Sequence, residues 1–222
     1  MIKYFKFLSL RRYYLDFYLN QHKNLMKGHV LDIGGKKDHP KGEFIPPKSG
    51  VDKWEYLNSD RNENPDILSD VENIPLKDKS IDTIIMTEVL EYLGNPMKVL
   101  FELNRILSND GNILISIPFM HPIHGDFLDD RARYTNTYLT EIFKKVGLNI
   151  VKIKPMGSVC SVIFDILRVT FSYANKTKIN TIVFIILHFF RPLFLKSDKL
   201  FKTQRKYINT GYFIVLKKKE KL

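Results

Sequence analysis

Hydrophobic residues between positions 28 and 154 follow two alternating patterns. Short β-branched runs such as IDTIIMT (Ile81–Thr87) and NILISIP (112–118) are typical of strands buried on both faces. Between such runs, apolar residues recur at helical spacing, as in residues 96–107. Alternating strands and helices predict a Rossmann-like α/β fold, with a doubly wound, mostly parallel sheet and helices on both faces.

The same patterns place the other elements of this region. Strands are predicted at 29–33, 54–58, 66–68 and 148–153, helices at 88–93 and 137–146, a turn at 109–111, and a final strand at 207–217. The stretch 36–50 contains three prolines and is predicted to be a loop.

The two ends of the chain have a different pattern. Residues 1–27 place basic residues between apolar ones at helical spacing, which predicts an amphipathic helix that packs on the domain or lies on a membrane. Two strongly apolar stretches, 158–173 and 179–195, follow the core. His188, Arg191 and Pro192 interrupt the second, which favours a surface-lying hairpin over a membrane span. Burial in the core or in a dimer interface explains these stretches equally well.

The chain is therefore divided into three parts. They are a basic amphipathic N-terminal helix (1–27), an α/β core (28–154), and an apolar, basic C-terminal region (155–222) that completes the sheet. A length of 222 residues with 44% hydrophobic content suits one sizeable folded core. The single cysteine, Cys160, excludes an internal disulfide and is expected to be an inert thiol.

Charge is distributed unevenly along these parts. Lys and Arg exceed Asp and Glu by five in residues 1–27 and by twelve in 152–222, whereas the middle, 28–151, has six more acidic than basic residues. The basic ends are expected to face an anionic partner, either phospholipid or nucleic acid.

Candidate chemistry begins with VLDIGGKK, where a strand ends in a carboxylate and two glycines. Asp32, Gly34 and Gly35 would lie at the carboxyl end of the first strand, where open parallel sheets bind ligands. Glycine lets the backbone approach a ligand closely, and Asp32 can hold an ammonium group. By spacing alone, a cofactor site and a plain turn are equally good interpretations.

Further motifs resemble the class I S-adenosylmethionine-dependent methyltransferases of the type 11 group. They are DVENIPLKDKSID (70–82), EVLEYL (88–93) and ELNRILSNDG (102–111), at the family's spacing, and the resemblance covers about residues 28–154. It implies S-adenosylmethionine as cofactor and a role for each of several residues. Asp32, Gly34 and Gly35 would cradle its methionine part, Asp60 its ribose, Asp70 and the Val71 backbone its adenine, and Glu88 would lie beside the methionine end. Lys36 departs from the family, which commonly has another glycine there.

The segment PFMHPIHGDFLDDRARYT (118–135) resembles a variant in family members associated with cell-surface polysaccharide genes. That resemblance implies an acceptor site with His124 as general base, His121 as second candidate, and Asp126 beside them. Arg133 and Tyr134 would bind the acceptor. Alternatively, Asp126 and Arg133 only pair with each other to order the loop.

These observations predict an S-adenosylmethionine-dependent methyltransferase that O-methylates a sugar or other hydroxyl of a cell-surface glycan or lipid-linked precursor. We expect a cytoplasmic protein at the inner membrane surface, with peripheral contact to anionic lipid and no metal. Two alternatives stay open: a nucleic-acid methyltransferase, and a non-catalytic membrane-associated binding module with the same fold. The oligomeric state and the acceptor are not predicted.

Overall fold

A single seven-stranded sheet organises the computed structural model, which describes residues 8–37, 42–123, 129–173 and 178–219. The strands are β1 (Gly28–Ile33), β2 (Val51–Asn58), β3 (Ile67–Leu68), β4 (Ile81–Thr87), β5 (Leu107–Pro118), β6 (Leu148–Met156) and β7 (Gly211–Lys218). Their order is β3-β2-β1-β4-β5-β7-β6, with β7 antiparallel to both neighbours and the other pairings parallel. The predicted doubly wound, mostly parallel α/β sheet is confirmed.

Six helices surround this sheet in the described residues. They are α1 (Leu10–Gln21), α2 (Pro96–Ile106), α3 (Asn136–Lys145), α4 (Val159–Tyr173), α5 (Lys178–Phe189) and α6 (Arg191–Ser197). The start of α2 shows how local sequence defines them: the Asn95 side chain accepts a hydrogen bond from the Lys98 amide at 3.1 Å, and Pro96 opens the first turn.

The sheet buries a separate apolar cluster on each face. On one face, α2 and α3 pack on the sheet through residues such as Leu103 and Phe143, both fully buried. On the other, α1 packs through Leu15 and Leu19, and the Tyr18 ring stacks on Phe213 of β7 with centroids 5.5 Å apart. The N-terminal helix was predicted either to pack on the domain or to lie on a membrane, and the described helix α1 packs on the domain.

Three local predictions were wrong. The predicted helix at 88–93 is only a 3-10 turn at Leu90–Tyr92, because Glu88 takes a left-handed φ of 58° that a helix does not allow. The predicted turn at 109–111 lies within β5, where the register with β4 shifts between Ile81 and Thr83. The last strand begins at Gly211 instead of 207, because a 3-10 turn at Lys202–Lys206 precedes it.

The two apolar stretches after β6 differ in burial. In α4, Val162 and Phe164 are buried, whereas the buried residue of α5 is Leu187. No single helix in the described residues is long and apolar enough to cross a membrane. The consecutive helices α5 and α6, bent by 47° at their junction, meet length and composition criteria together.

Candidate functional site

The turn after β1 needs both of its glycines. Gly34 has a φ of 71°, and a Cβ added there would lie 2.5 Å from Cγ2 of Val89. A Cβ on Gly35 would lie 2.6 Å from the Asp32 carboxyl carbon. Close packing on both sides therefore excludes a side chain from this turn, and the backbone is left open toward the carboxyl end of the sheet.

A first cavity of about 110 Å³, the Asp32 cavity, lies at this turn. Asp32 sits beside Tyr56 of β2 and Ile85 of β4 in the sheet register, and all three line the cavity. The strand order reverses between β1 and β4, which is where ligands bind in open α/β sheets. The remaining lining residues are Arg12, Asp16 and Leu19 from α1, Gly34–Lys36, Gly42, Phe44, Pro46, Thr87 and Glu88.

The charged groups of this cavity perturb one another. Burial raises the pKa of the Asp32 carboxyl to about 7, and Arg12 and the Trp54 indole oppose that shift. Burial lowers the pKa of Arg12, which Asp16, 3.7 Å away, counteracts. A cationic group entering the cavity would stabilise the ionised form of Asp32.

Glu88, at the end of β4, is tied to α1. Its carboxylate pairs with the Arg11 guanidinium and accepts a hydrogen bond from the Ser116 hydroxyl at 2.7 Å. Burial lowers the pKa of Arg11 to about 10, and the nearby Glu91 carboxylate opposes that shift. Glu88 therefore lines the Asp32 cavity and also pairs with the helix that contributes Arg12, Asp16 and Leu19 to its wall, while its place beside the methionine end of the cofactor stays a prediction.

A second cavity of about 320 Å³, the Asp70 cavity, meets the first at Gly34, which lines both. Asp70 and Val71 line it, as the adenine-binding prediction requires. The other lining residues are Ile33, Leu57–Ser59, Ser69, Glu72, Val89 and Tyr92–Gly94.

Asp60, the predicted ribose-binding residue, does not line either cavity. Its carboxylate caps the 3-10 turn Arg61–Glu63 by accepting from the Asn62 amide at 2.9 Å. Asn58 and Ser59 of the same segment reach the Asp70 cavity instead. The Asn58 side chain also contacts the Gly35 carbonyl at 3.5 Å, which links the end of β2 to the glycine turn.

The predicted acceptor-binding residues lie outside both cavities. His121 is buried, its Nδ1 lies 2.8 Å from the Pro122 carbonyl, and its Nε2 lies 3.8 Å from Asp165. Arg133 pairs with Asp130, and the predicted pairing with Asp126 lies outside the described residues. His121 and Arg133 thus contact neighbouring residues outside the two cavities, on either side of residues 124–128.

Tyr134 is also buried, and its ring stacks on Tyr138 with centroids 5.7 Å apart. Its hydroxyl donates to the Leu90 carbonyl at 3.4 Å. His124 and Asp126 lie outside the described residues, so their catalytic assignment stays a prediction.

Sequence reasoning missed the contribution of α1 to the site. Arg12 and Asp16 line the Asp32 cavity, yet the sequence pattern predicted only that they are charged residues on an amphipathic helix. Lys36, the departure from the family pattern, pairs with Glu63. The neighbouring Lys37 pairs with Asp66 at 2.7 Å, so both lysines fasten the glycine turn to the segment after β2.

Comparison with known proteins agrees with this geometry. A family model described as "Methyltransferase domain" matches residues 49–115. An uncharacterized protein of Methanocaldococcus jannaschii is 26% identical over 140 residues, and the alignment covers 61% of this chain and 66% of that protein. This chain thus spans just under two thirds of that relative.

Solved structures share the fold. A Galdieria sulphuraria protein described as a candidate sarcosine dimethylglycine methyltransferase matches with a TM-score of 0.61 and 16% identity, over 94% of this chain and 86% of that one. The 1,6-didemethyltoxoflavin-N1-methyltransferase of Burkholderia thailandensis, with S-adenosylhomocysteine bound, matches with a TM-score of 0.56 and 11% identity, over 96% and 79%. The methyltransferase-domain match over residues 49–115 and the shared fold support the prediction of an S-adenosylmethionine-dependent methyltransferase.

Proposed function

We propose that this chain transfers the methyl group of S-adenosylmethionine to a hydroxyl of a small molecule. The acceptor we propose is a sugar or other hydroxyl compound of a cell-surface glycan, or its lipid-linked precursor. One observation carries the first part: two cavities lined by six of the seven predicted cofactor-binding residues, all but Asp60, meet at Gly34, at the carboxyl ends of β1 and β4.

The residues present fit this cofactor. Gly34 lines both cavities and Gly35 lines the first, so the backbone of the turn borders the space that an extended ligand needs. Asp32 would hold the ammonium of the methionine part, directly or through a water molecule. Asp70 would accept from the adenine amino group, and the Val71 backbone would read the same ring.

The chain itself has two tasks in the reaction. S-adenosylmethionine supplies an electrophilic methyl group when bound. The protein aligns the acceptor and receives the proton that a hydroxyl loses. His124 is our candidate for that base, with Asp126 beside it, and α1 shields the Asp32 cavity from solvent through Arg12 and Leu19.

Two observations support a small-molecule, glycan-type acceptor. The segment 118–135 has the pattern of family members associated with polysaccharide genes. The structurally similar Burkholderia enzyme is described with bound 1,6-didemethyltoxoflavin, a small molecule.

The two alternative functions have less support. A nucleic-acid methyltransferase would use the basic C-terminal region to grip phosphates, yet the lysines there flank exposed isoleucines and phenylalanines. The hypothesis of a non-catalytic module was supported only by Lys36, which stands where the family commonly has another glycine in the turn. Because Lys36 pairs with Glu63, that argument loses its basis.

Calorimetric titration of the purified chain with S-adenosylmethionine tests the cofactor site. We expect micromolar binding, weakened roughly tenfold or more by Asp70→Ala, because a hydrogen bond to a charged group is lost. Asp110→Ala, which removes an exposed carboxylate elsewhere, is the control and should bind like the native chain. A folded native chain that does not bind would refute the proposal.

Methyl transfer is tested with radiolabelled cofactor and a panel of free and lipid-linked glycans. The native chain should label at least one hydroxyl acceptor, and His124→Ala should abolish labelling while cofactor affinity stays unchanged. Labelling of RNA or DNA in place of every glycan would overturn the acceptor class.

A further inference from the structure

Helix α5 exposes an apolar face. Ile179, Ile182, Ile186 and Phe189 recur at spacings of three, four and three residues and therefore share one side of the helix. Their exposed fractions are 72%, 54%, 49% and 79%. A helix on the surface of a soluble domain normally presents polar residues on that side.

The apolar surface continues from α5 into α6. Phe190 at the junction and Leu193 in α6 are 47% and 57% exposed, and Ile185 of α5 is 53% exposed. We call the seven exposed residues of these two helices the α5–α6 surface: Ile179, Ile182, Ile185, Ile186, Phe189, Phe190 and Leu193. So many large exposed apolar side chains on consecutive helices mark an interaction site.

Exposed charge around this surface has one sign. Lys178 is the first residue of α5, and exposed lysines follow Leu193 at positions 196, 199, 202 and 206. Among the described residues from 158 to 219, the carboxylates are those of Asp165 and Asp198, and both are fully buried. The exposed side chains of this region therefore carry positive charge without a compensating carboxylate.

The two buried carboxylates fix the orientation of the surface. Asp198, after α6, accepts hydrogen bonds from the Tyr14 hydroxyl at 2.9 Å and from the Ser161 amide at 3.1 Å. Asp165 of α4 accepts from the Leu10 and Arg11 amides at 2.7 and 3.0 Å. Helices α4 and α6 are thus fastened to α1, so the α5–α6 surface has a defined direction relative to the sheet.

Charge decides which occupant suits this surface. A second copy of the chain would bring a like-charged set of lysines against the first, and it offers no exposed carboxylate in the described part of this region. An anionic phospholipid bilayer supplies both an apolar interior for isoleucine and phenylalanine and negative headgroups for the lysines.

We propose that the α5–α6 surface docks on an anionic phospholipid bilayer, with its apolar side chains in the acyl region and the flanking lysines at the headgroups. This docking does not depend on the methyltransferase activity. It would place the domain at a membrane through α6, which packs on α4, and through α4, which packs on the helix that lines the Asp32 cavity.

Sedimentation with vesicles tests the proposal, with the full chain and with vesicles of phosphatidylcholine alone or mixed with phosphatidylglycerol. The native chain should sediment with the mixed vesicles and much less with the neutral ones, and added salt should weaken the binding. The double variant Ile182→Ser/Ile186→Ser should lower the partition coefficient roughly tenfold or more, because two large apolar groups no longer enter the bilayer.

Two further variants complete the test. Lys196→Gln/Lys199→Gln/Lys202→Gln should lose the preference for phosphatidylglycerol. Val151→Ser/Phe101→Ser removes two exposed apolar side chains elsewhere and should bind vesicles like the native chain. Circular dichroism and thermal unfolding confirm that each variant is folded.

Three outcomes would overturn the proposal. The first is a folded native chain that stays in solution with mixed vesicles. The second is equal sedimentation of the native chain and the isoleucine variant. The third is a native chain that is a dimer in light scattering and does not bind vesicles, together with an isoleucine variant that is a monomer. That result would assign the surface to a second copy.

Discussion

The Arg11 guanidinium of α1 pairs with the Glu88 carboxylate at the end of β4, and the two side chains are only 10% and 8% exposed. The pair joins a helix near the start of the chain to the strand end at which the cofactor site is built. Because Glu88 also lines the Asp32 cavity, stability and ligand binding are coupled at this contact.

Breaking the pair on one side should be costly. Arg11→Ala removes the guanidinium that pairs with the buried Glu88 carboxylate, and we expect it to lower the free energy of unfolding by about 3 kcal/mol or more. Urea denaturation measures this change. The double variant Arg11→Met/Glu88→Gln removes the Glu88 charge together with its partner and should be less destabilised than Arg11→Ala. Equal destabilisation of the two would show that the charge pair is not the cause.

The glycine turn gives a second prediction. Gly34→Ala should destabilise the protein by about 1–2 kcal/mol for its left-handed backbone, and by about 1–3 kcal/mol more for the contact with Val89. It should also weaken cofactor binding, because the new methyl group lies where the two cavities meet.

Gly50 offers a matched control for that substitution. Its φ is 77°, but the nearest atom to an added Cβ is 4.0 Å away, so Gly50→Ala should show the backbone cost alone. Val89→Ala in the Gly34→Ala background should recover part of the loss. If Gly34→Ala and Gly50→Ala unfold at the same urea concentration, the close contact with Val89 has no energetic consequence.

The sequence predicted those parts of the site that depend on local patterns. The buried strands β1 and β4 were evident from their apolar runs, and a carboxylate followed by glycines marked where β1 ends. Since ligands bind at the carboxyl ends of parallel strands, the sequence alone places Asp32 and Asp70 on the same edge of the sheet.

What the sequence could not show depends on tertiary contacts. The pattern of α1 is compatible with any apolar partner, so it did not reveal that Arg12 and Asp16 line the cavity. Glu88 fits a helical pattern in the sequence, but its backbone is left-handed and no helix forms there. Its side chain contacts Arg11 and Ser116, which are distant in sequence, so the pattern did not reveal this conformation. Likewise, helical periodicity identified α5 but not which of its sides faces outward.

The carboxyl of Asp32 should make stability depend on pH. Burial raises its pKa from the ordinary value of 3.8, which applies to the unfolded chain, to about 7 in the folded protein. Between these two pH values, the folded state therefore retains a proton that the unfolded chain has released. Stability therefore falls as pH rises from about 4 to about 7, by up to about 4 kcal/mol, and this contribution is constant above that range. Asp32→Asn should remove the decrease.

Asp66 provides a control of opposite sign. Hydrogen bonds from Lys37 and from the Tyr56 amide lower the pKa of its carboxyl, so it stabilises the fold at neutral pH and loses that effect as pH falls. Relative to the native chain, Asp32→Asn should gain stability as pH rises, whereas Asp66→Asn should lose it. Urea denaturation from pH 2 to 8 distinguishes the two, because the Asp66 effect is lost below its ordinary pKa of 3.8 and the Asp32 effect lies above that value. Parallel curves for the native chain and Asp32→Asn would contradict the raised pKa of Asp32.

The last prediction concerns how α1 is held over the site. Asp165 is fully buried and accepts from two backbone amides at the start of α1, so Asp165→Ala leaves both donors without this acceptor. We expect a loss of about 2 kcal/mol or more in the free energy of unfolding, faster hydrogen exchange throughout α1, and weaker cofactor binding, because Arg12 and Leu19 of the Asp32 cavity are carried by this helix.

Ser9→Ala separates this long-range contact from ordinary helix capping. The Ser9 hydroxyl accepts from the Arg12 amide at 3.1 Å within the same turn, and its loss should cost about 1 kcal/mol. It should speed hydrogen exchange only in the first turn and leave cofactor affinity close to native, since the rest of α1 stays packed on the sheet. If both variants changed exchange and affinity equally, α1 would be held by its own cap, and the contact with α4 would not be needed to close the cavity.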